Sequence, residues 1–150
     1  MYKKHVIITL IIMITTSVIC FVFSLDCQFI SGVVIDITAI ASAVYLAIYP
    51  LLQGSDNLVQ KLSKQDKTLP KKSQMGVLNT YLKTGLIMGI ISIVWGCLNL
   101  LILGSYPDIA TTQLFLYRFY SAISIGQFSG NFPLLWFIGE FMVFRVAFNK

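Results

Sequence analysis

The chain alternates between long uncharged apolar runs and short polar stretches. Residues 6–25 hold no Asp, Glu, Lys or Arg, and at about 1.5 Å per residue they form a helix about 30 Å long, the thickness of bilayer hydrocarbon. A brief break at Asp26-Cys27-Gln28 leads into a second run, 30–52, interrupted by Asp36 and closed by Pro50 and Gly54. These two runs predict a helical hairpin with a tight turn. A third run covers 80–103, with Lys83 near its start and Tyr106-Pro107-Asp108 at its exit.

Residues 53–79 differ in kind. Lys61, Lys64, Lys67, Lys71 and Lys72 stand against Asp56 and Asp66, and Pro70 and Gly76 act as breakers. Leu58 and Leu62 recur at helical spacing beside Val59, behind Ser55 or Asp56 as N-cap. That pattern predicts a short amphipathic helix running to about Lys67.

Residues 114–148 are mostly apolar and, at about 1.5 Å per residue, too long as one helix for a single crossing. The break belongs at Gly126-Gln127-Phe128-Ser129-Gly130-Asn131-Phe132-Pro133, where glycines, Asn131 and a proline coincide. Either residues 112–124 lie in the outer interface on Tyr117, Phe119 and Tyr120 and the crossing runs over 129–148, or residues 112–126 cross as a fifth span. With four spans every basic residue except Arg118 falls on one side, the cytoplasmic one under the positive-inside rule; five spans would export Arg145 and Lys150 and bury Arg118. The pattern thus predicts an all-α polytopic membrane protein. It is a four-transmembrane-helix bundle with spans at about 6–25, 30–52, 80–103 and 129–148. A cytoplasmic loop at 53–79 carries the short amphipathic helix, an outer segment at 104–128 holds an interfacial helix, and both termini are cytoplasmic.

Composition supports that picture: 57% of the 150 residues are apolar and only 11% are charged, against about a quarter in soluble domains. One membrane domain accounts for residues 1–150, in the inner membrane of a bacterium. Met1-Tyr2-Lys3-Lys4-His5 before an apolar run has the layout of a secretory signal, but no small-x-small site follows, and Asp26 before Cys27 spoils a lipoprotein reading. An uncleaved first span is expected. The odd cysteine count, Cys20, Cys27 and Cys97, contains no CxxC pair and speaks against a disulfide framework or a metal site.

Catalytic chemistry finds no footing. His5 is the only histidine, and no HExxH, nucleophile elbow, paired carboxylates or phosphate-cradling glycine loop occurs. A non-enzymatic protein without cofactor or metal is expected. The net charge of +5 follows from the positive-inside bias, so direct nucleic-acid binding is not expected either.

Ionisable groups inside spans are costly, which singles out Asp36, Glu140 and Arg118. Asp36 reads as a paired or protonated carboxyl, with Arg118 as a partner (Arg118 also has Asp26 and Asp108 in reach), or as a proton- or cation-responsive site. Glu140 reads as bridged to Lys83 or Arg145, or as a transport carboxylate in a cavity. Gly85, Gly89, Ser92, Gly96 and Asn99 share one face of the third span, and Gly32, Asp36, Ala39, Ala43 and Ala47 form a stripe on the second. Such small-residue faces pack spans within one subunit or join subunits into a homo-oligomer; a pore lined by Ser92 and Asn99 has no selectivity-filter pattern. The loop lysines serve anionic headgroups or an acidic soluble partner.

In length, hairpin layout and the basic loop Lys61 to Lys72, the chain resembles the small four-span membrane subunits of bacterial anti-phage systems such as Kiwa. That resemblance implies a homo-oligomeric membrane sensor working with a cytoplasmic effector in antiviral defence, and it carries no residue roles over. Three functions follow as expectations. The first is a sensor or scaffold acting through the basic loop. The second is a small channel or proton-coupled transporter using Asp36 or Glu140. The third is an immunity or exclusion protein acting within the bilayer.

Overall fold

The computed structural model describes residues 1–66, 69, 71–105 and 114–142, and every element among them is helical apart from one isolated β-bridge. The helices are α1 (Lys3–Phe23), α2 (Cys27–Gln53), α3 (Asp56–Leu62), α4 (Gln74–Ser105), α5 (Leu114–Ser129) and α6 (Asn131–Glu140). Three of them, over Lys3–Phe23, Ile30–Pro50 and Gln74–Leu101, are long and apolar enough to cross a membrane.

The α1–α2 hairpin turns over Ser24-Leu25-Asp26. Ser24 closes α1 in the left-handed region (φ 53°, ψ 43°), and the Leu25 N–H reaches back to the Cys20 carbonyl at 3.0 Å. That reversal satisfies carbonyls the helix end would otherwise leave bare.

Packing occurs in two pairs, α2 on α4 and α1 on α5, joined where α6 meets α4 and α5 meets α2. At the first pair, glycines on α4 form hollows that side chains of α2 enter. A Cβ on Gly85 would meet the Tyr45 ring at 2.8 Å, one on Gly96 would meet Ile35 Cγ1 at 2.8 Å, and Gly89 faces Ser42 and Thr38. The contacting face of α2 is therefore Ser31, Ile35, Thr38, Ser42 and Tyr45. The expected stripe of Gly32, Asp36, Ala39, Ala43 and Ala47 is displaced from it, by one residue at the first four positions and by two at Ala47. Asp36, Ala39, Ala43 and Ala47 are exposed, and Gly32 has open space at its Cβ. Hollows filled by larger side chains recover more contact than small residues laid on small ones.

The second pair departs from the expected outer interfacial helix. Leu114–Ser129 does not stand apart from the other helices; it runs antiparallel along α1. Phe115 packs edge-on against Phe21 (5.9 Å), and a Cβ on Gly126 would overlap Ser17 Oγ and meet the Met13 carbonyl at 2.9 Å. Further along, Gly130 sits on Met13, and Phe137 stacks on His5. The expected break is confined to Gly130, which keeps right-handed helical angles (φ −64°, ψ −18°) and separates α5 from α6 without reversing the chain. Pro133 falls in the first turn of α6, where its missing N–H leaves no helical bond unmade. From Leu114 to Glu140 the pair rises about 40 Å at 1.5 Å per residue. Tyr117 and Tyr120 suggest interfacial anchors in sequence because a phenol hydroxyl seeks water; here the Tyr120 hydroxyl donates to the buried Asn99 and the Tyr117 hydroxyl to Asp26 in the exposed α1–α2 turn.

Residues 56–81 build a cap over one end of the bundle. α3 stops at Leu62, short of the expected Lys67, and Leu62 is fully buried in a cluster with Val77, Leu78, Tyr81 and Phe137. Ser55 occupies the N-cap position without a side-chain cap, its carbonyl accepting from Leu58 and Val59 at 3.0 Å. The chain then crosses itself: Gln65 bridges Ser73, Asp66 N–H donates to the Lys72 carbonyl, and Gln74 N–H to the Lys64 carbonyl, both at 3.0 Å. Ser73 Oγ accepts the Gly76 N–H at 3.1 Å and so caps α4, which starts earlier than the expected residue 80.

Candidate functional site

Two polar centres lie far apart along the bundle. The first is the cap. Asp66 is 1% exposed, and its two carboxylate oxygens do different jobs: Oδ2 accepts the Tyr2 hydroxyl at 2.6 Å and Oδ1 accepts the Leu69 N–H at 2.9 Å. Tyr2 N–H donates to the Tyr81 hydroxyl oxygen at 3.1 Å, and that hydroxyl lies 2.6 Å from His5 Nδ1. His5 in turn stacks on Phe137, centroids 3.8 Å apart at 12°. One carboxylate thus ties the loop to α1, and Tyr81 and His5 carry the tie on to α4 and α6. Burial against the cap lowers the Met1 amine below its ordinary value; nearby Lys72 adds to this and Asp66 opposes it.

Above this network the lysines point outward. Lys61, Lys64, Lys71 and Lys72 are all exposed; Lys67 lies outside the described residues. They share a folded surface with the exposed Val59, while Leu58 and Leu62 of α3 pack on the bundle.

The second centre is a seam of neutral polar groups inside the bundle. Ser92 and Asn99 are fully buried. Ser92 Oγ donates to the Met88 carbonyl at 2.9 Å and accepts from Gln127 Nε2 at 2.9 Å and Asn131 Nδ2 at 2.7 Å. Asn99 Nδ2 donates to Ser31 Oγ at 3.3 Å, and its Oδ1 accepts from the Tyr120 hydroxyl. Trp95 Nε1 donates to Ser124 Oγ at 3.0 Å, and Ser121 Oγ to Cys27 Sγ at 3.4 Å. Gln127 Oε1, Ser42 Oγ and the Tyr45 hydroxyl are buried without a partner among the described residues. Ser92 and Asn99 are thus consumed in joining α4 to α2, α5 and α6, and neither lines an open path.

The three ionisable candidates do not converge. Asp36, Arg118 and Glu140 are exposed on outer helix faces, and among the described residues none forms an ion pair. Asp26 is held by Tyr117 instead of Arg118. Glu140 lies within electrostatic range of His5, while Lys83 borders a cleft of about 180 Å³ beside Tyr45, Tyr49 and Asn79. Asp108 and Arg145 lie outside the described residues. Cys20 and Cys27 are buried free thiols in one cluster, and Cys97 is exposed. Among the described residues no group of His, Cys, Asp and Glu is arranged to hold a metal ion.

Sequence reasoning missed the Tyr2–Asp66–Tyr81–His5 network and the Gln127 and Asn131 bonds to Ser92. A lone carboxylate among lysines, flanked by Leu62 and Leu69, was the available signal for Asp66. Comparison with protein-family models, with curated proteins and with solved structures finds no match for this chain.

Proposed function

We propose that the protein is a non-enzymatic membrane scaffold or sensor whose basic cap docks an acidic soluble effector on the cytoplasmic face of a bacterial inner membrane. In this reading α1, α2, α4 and the α5–α6 pair make four crossings, and both termini lie with the cap. The observation that carries the proposal is the division of labour within the cap. Leu58, Leu62 and the buried carboxylate of Asp66 face the bundle, while four lysines are presented outward beside the exposed Val59 on a surface tied to the helix ends. A lysine-rich loop serving topology alone needs no such underside. An excess of exposed lysines over the exposed Asp56 steers an acidic partner and sets its register.

The same ties give the cap a route to sense the bundle, since Tyr2 and His5 belong to α1 and its lead-in, Tyr81 to α4 and Phe137 to α6. Phage defence, with an effector as the acidic partner, is the setting suggested by the architectural resemblance. Self-association in this reading must use a face other than Gly85, Gly89 and Gly96, which α2 already fills. Coupled transport through Asp36 or Glu140 is the weaker reading, as both carboxylates sit on outer faces.

Impermeant thiol labelling of a cysteine-free background tests the topology. Ser63→Cys should label only from the cytoplasm, and Leu25→Cys only from the outside. Labelling of both from one side would remove the four-crossing arrangement.

A further inference from the structure

The break between α5 and α6 opens a groove against α1. Ile8, Ile12 and Thr16 form one wall at steps of four residues, and Phe132, Pro133 and Trp136 form the other, around a cavity of about 560 Å³. Its two hydroxyls are turned away from it. Thr16 Oγ1 donates to the Ile12 carbonyl and Ser129 Oγ to the Gly126 carbonyl, each at 2.7 Å. What remains is an apolar lining with Trp136 at its rim, 73% exposed. Such a space suits a hydrocarbon chain and rejects an ion or polar solute, which would lose its hydration unpaid.

One helical turn beyond the lining of the groove, each of its walls carries a charge. Lys4 stands four residues before Ile8 and continues the same helix face, while Glu140 stands four residues after Trp136. Both are exposed, and the stacking of His5 on Phe137 brings their two helical turns to the same end of the bundle. Neither forms an ion pair among the described residues.

We propose that this groove holds one phospholipid of the cap-side leaflet, with an acyl chain between α1 and α6. Its phosphate rests on Lys4, and a primary amine in its headgroup rests on Glu140. The proposal rests on the reading that α1 and the α5–α6 pair cross a bilayer. A headgroup with phosphate and ammonium complements the Lys4–Glu140 pair, whereas a purely anionic one leaves Glu140 facing like charge.

The test uses the full chain reconstituted in vesicles of equal parts phosphatidylethanolamine and phosphatidylglycerol, extracted in mild detergent and weighed by native mass spectrometry. One phosphatidylethanolamine per chain should be retained. Ile12→Trp, which fills the groove, should abolish retention. Lys4→Gln should lower it about fivefold, the loss of one lysine–headgroup attraction, and Glu140→Gln should remove the preference for the amine headgroup. Retention unchanged by Ile12→Trp, no lipid on the parent, or equal retention of both headgroups by the parent would each overturn the proposal. A chain that resists alkaline carbonate extraction yet holds no lipid refutes the groove alone; a chain washed from the vesicles refutes the bilayer reading with it.

Discussion

The cap and the interior seam solve the same problem, holding helices together through polar groups, with opposite chemistry. The seam uses only neutral partners: Ser92, Asn99, Ser31, Gln127, Asn131 and the Tyr120 hydroxyl. The cap is organised around a carboxylate, Asp66, buried beside exposed lysines. Charge is affordable at the cap, where water is near, and costly at the depth of the seam. Among the described helices the carboxylates Asp36, Asp56 and Glu140 are exposed and none joins the seam. Neutral bonds in a low-dielectric core lock; a charge-centred tie at a wet surface can open and close. In the proposed function that difference assigns signalling to the cap.

Breaking the interior should have the largest effect. Gly126→Val drives a branched side chain into Ser17 and the Met13 carbonyl, and should cost about 3 kcal/mol by overpacking, read by steric trapping in bicelles. Next comes Asn99→Leu, which strands the Tyr120 hydroxyl and the bond to Ser31; about 2 kcal/mol of bundle stability should be lost. At the cap, Asp66→Asn should leave the bundle intact. Hydrogen exchange of residues 63–74 should nevertheless rise about fivefold, equivalent to about 1 kcal/mol of local opening. If Asp66→Asn destabilised the whole bundle as much as Asn99→Leu, the two regions would be one cooperative unit and the contrast would fail.

Smaller changes sharpen the same contrast. Ser24 is held at φ 53°, so Ser24→Gly should raise stability by about 0.5 kcal/mol as the left-handed turn loses its strain, visible as a higher unfolding midpoint. The smallest effect concerns pH. The Met1 amine is lowered in the folded cap, so the unfolded state binds more protons between the lowered value and 8.0. Cap protection should therefore rise slightly as pH climbs through that window and level off above it. Acetylation of the amine should flatten the profile, and an unchanged slope would assign the effect elsewhere.

The α1–α2 hairpin was legible because charge and length mark it at every residue, and the Gly85, Gly89 and Gly96 face because its period shows which side of α4 must approach another helix. The partner face was not legible. Choosing Ser31, Ile35, Thr38, Ser42 and Tyr45 over the smaller stripe displaced from it depends on side chains entering the glycine hollows, a matter of shape that periodicity does not encode. α5 was misplaced for a related reason: a tyrosine with an acceptor within the protein and one at an interface look alike until the acceptor is known. The cap network was hidden by distance, since Tyr2 reaches Asp66 and His5 reaches Tyr81 across most of the first half of the chain. The lysines of the loop stood out, but the carboxylate that organises their surface did not.

The central claim is that the cap presents its lysines to an acidic partner while its underside is tied to the bundle. It is tested most directly by quantitative co-purification from native cells in gentle detergent, using the parent, a chain with Lys61, Lys64, Lys67, Lys71 and Lys72 changed to Gln, and Asp66→Asn. The account expects one soluble acidic protein to be recovered with the parent, lost with the lysine variant and reduced with Asp66→Asn, at equal membrane insertion of all three. Equal recovery of that protein with the parent and the lysine variant would contradict it.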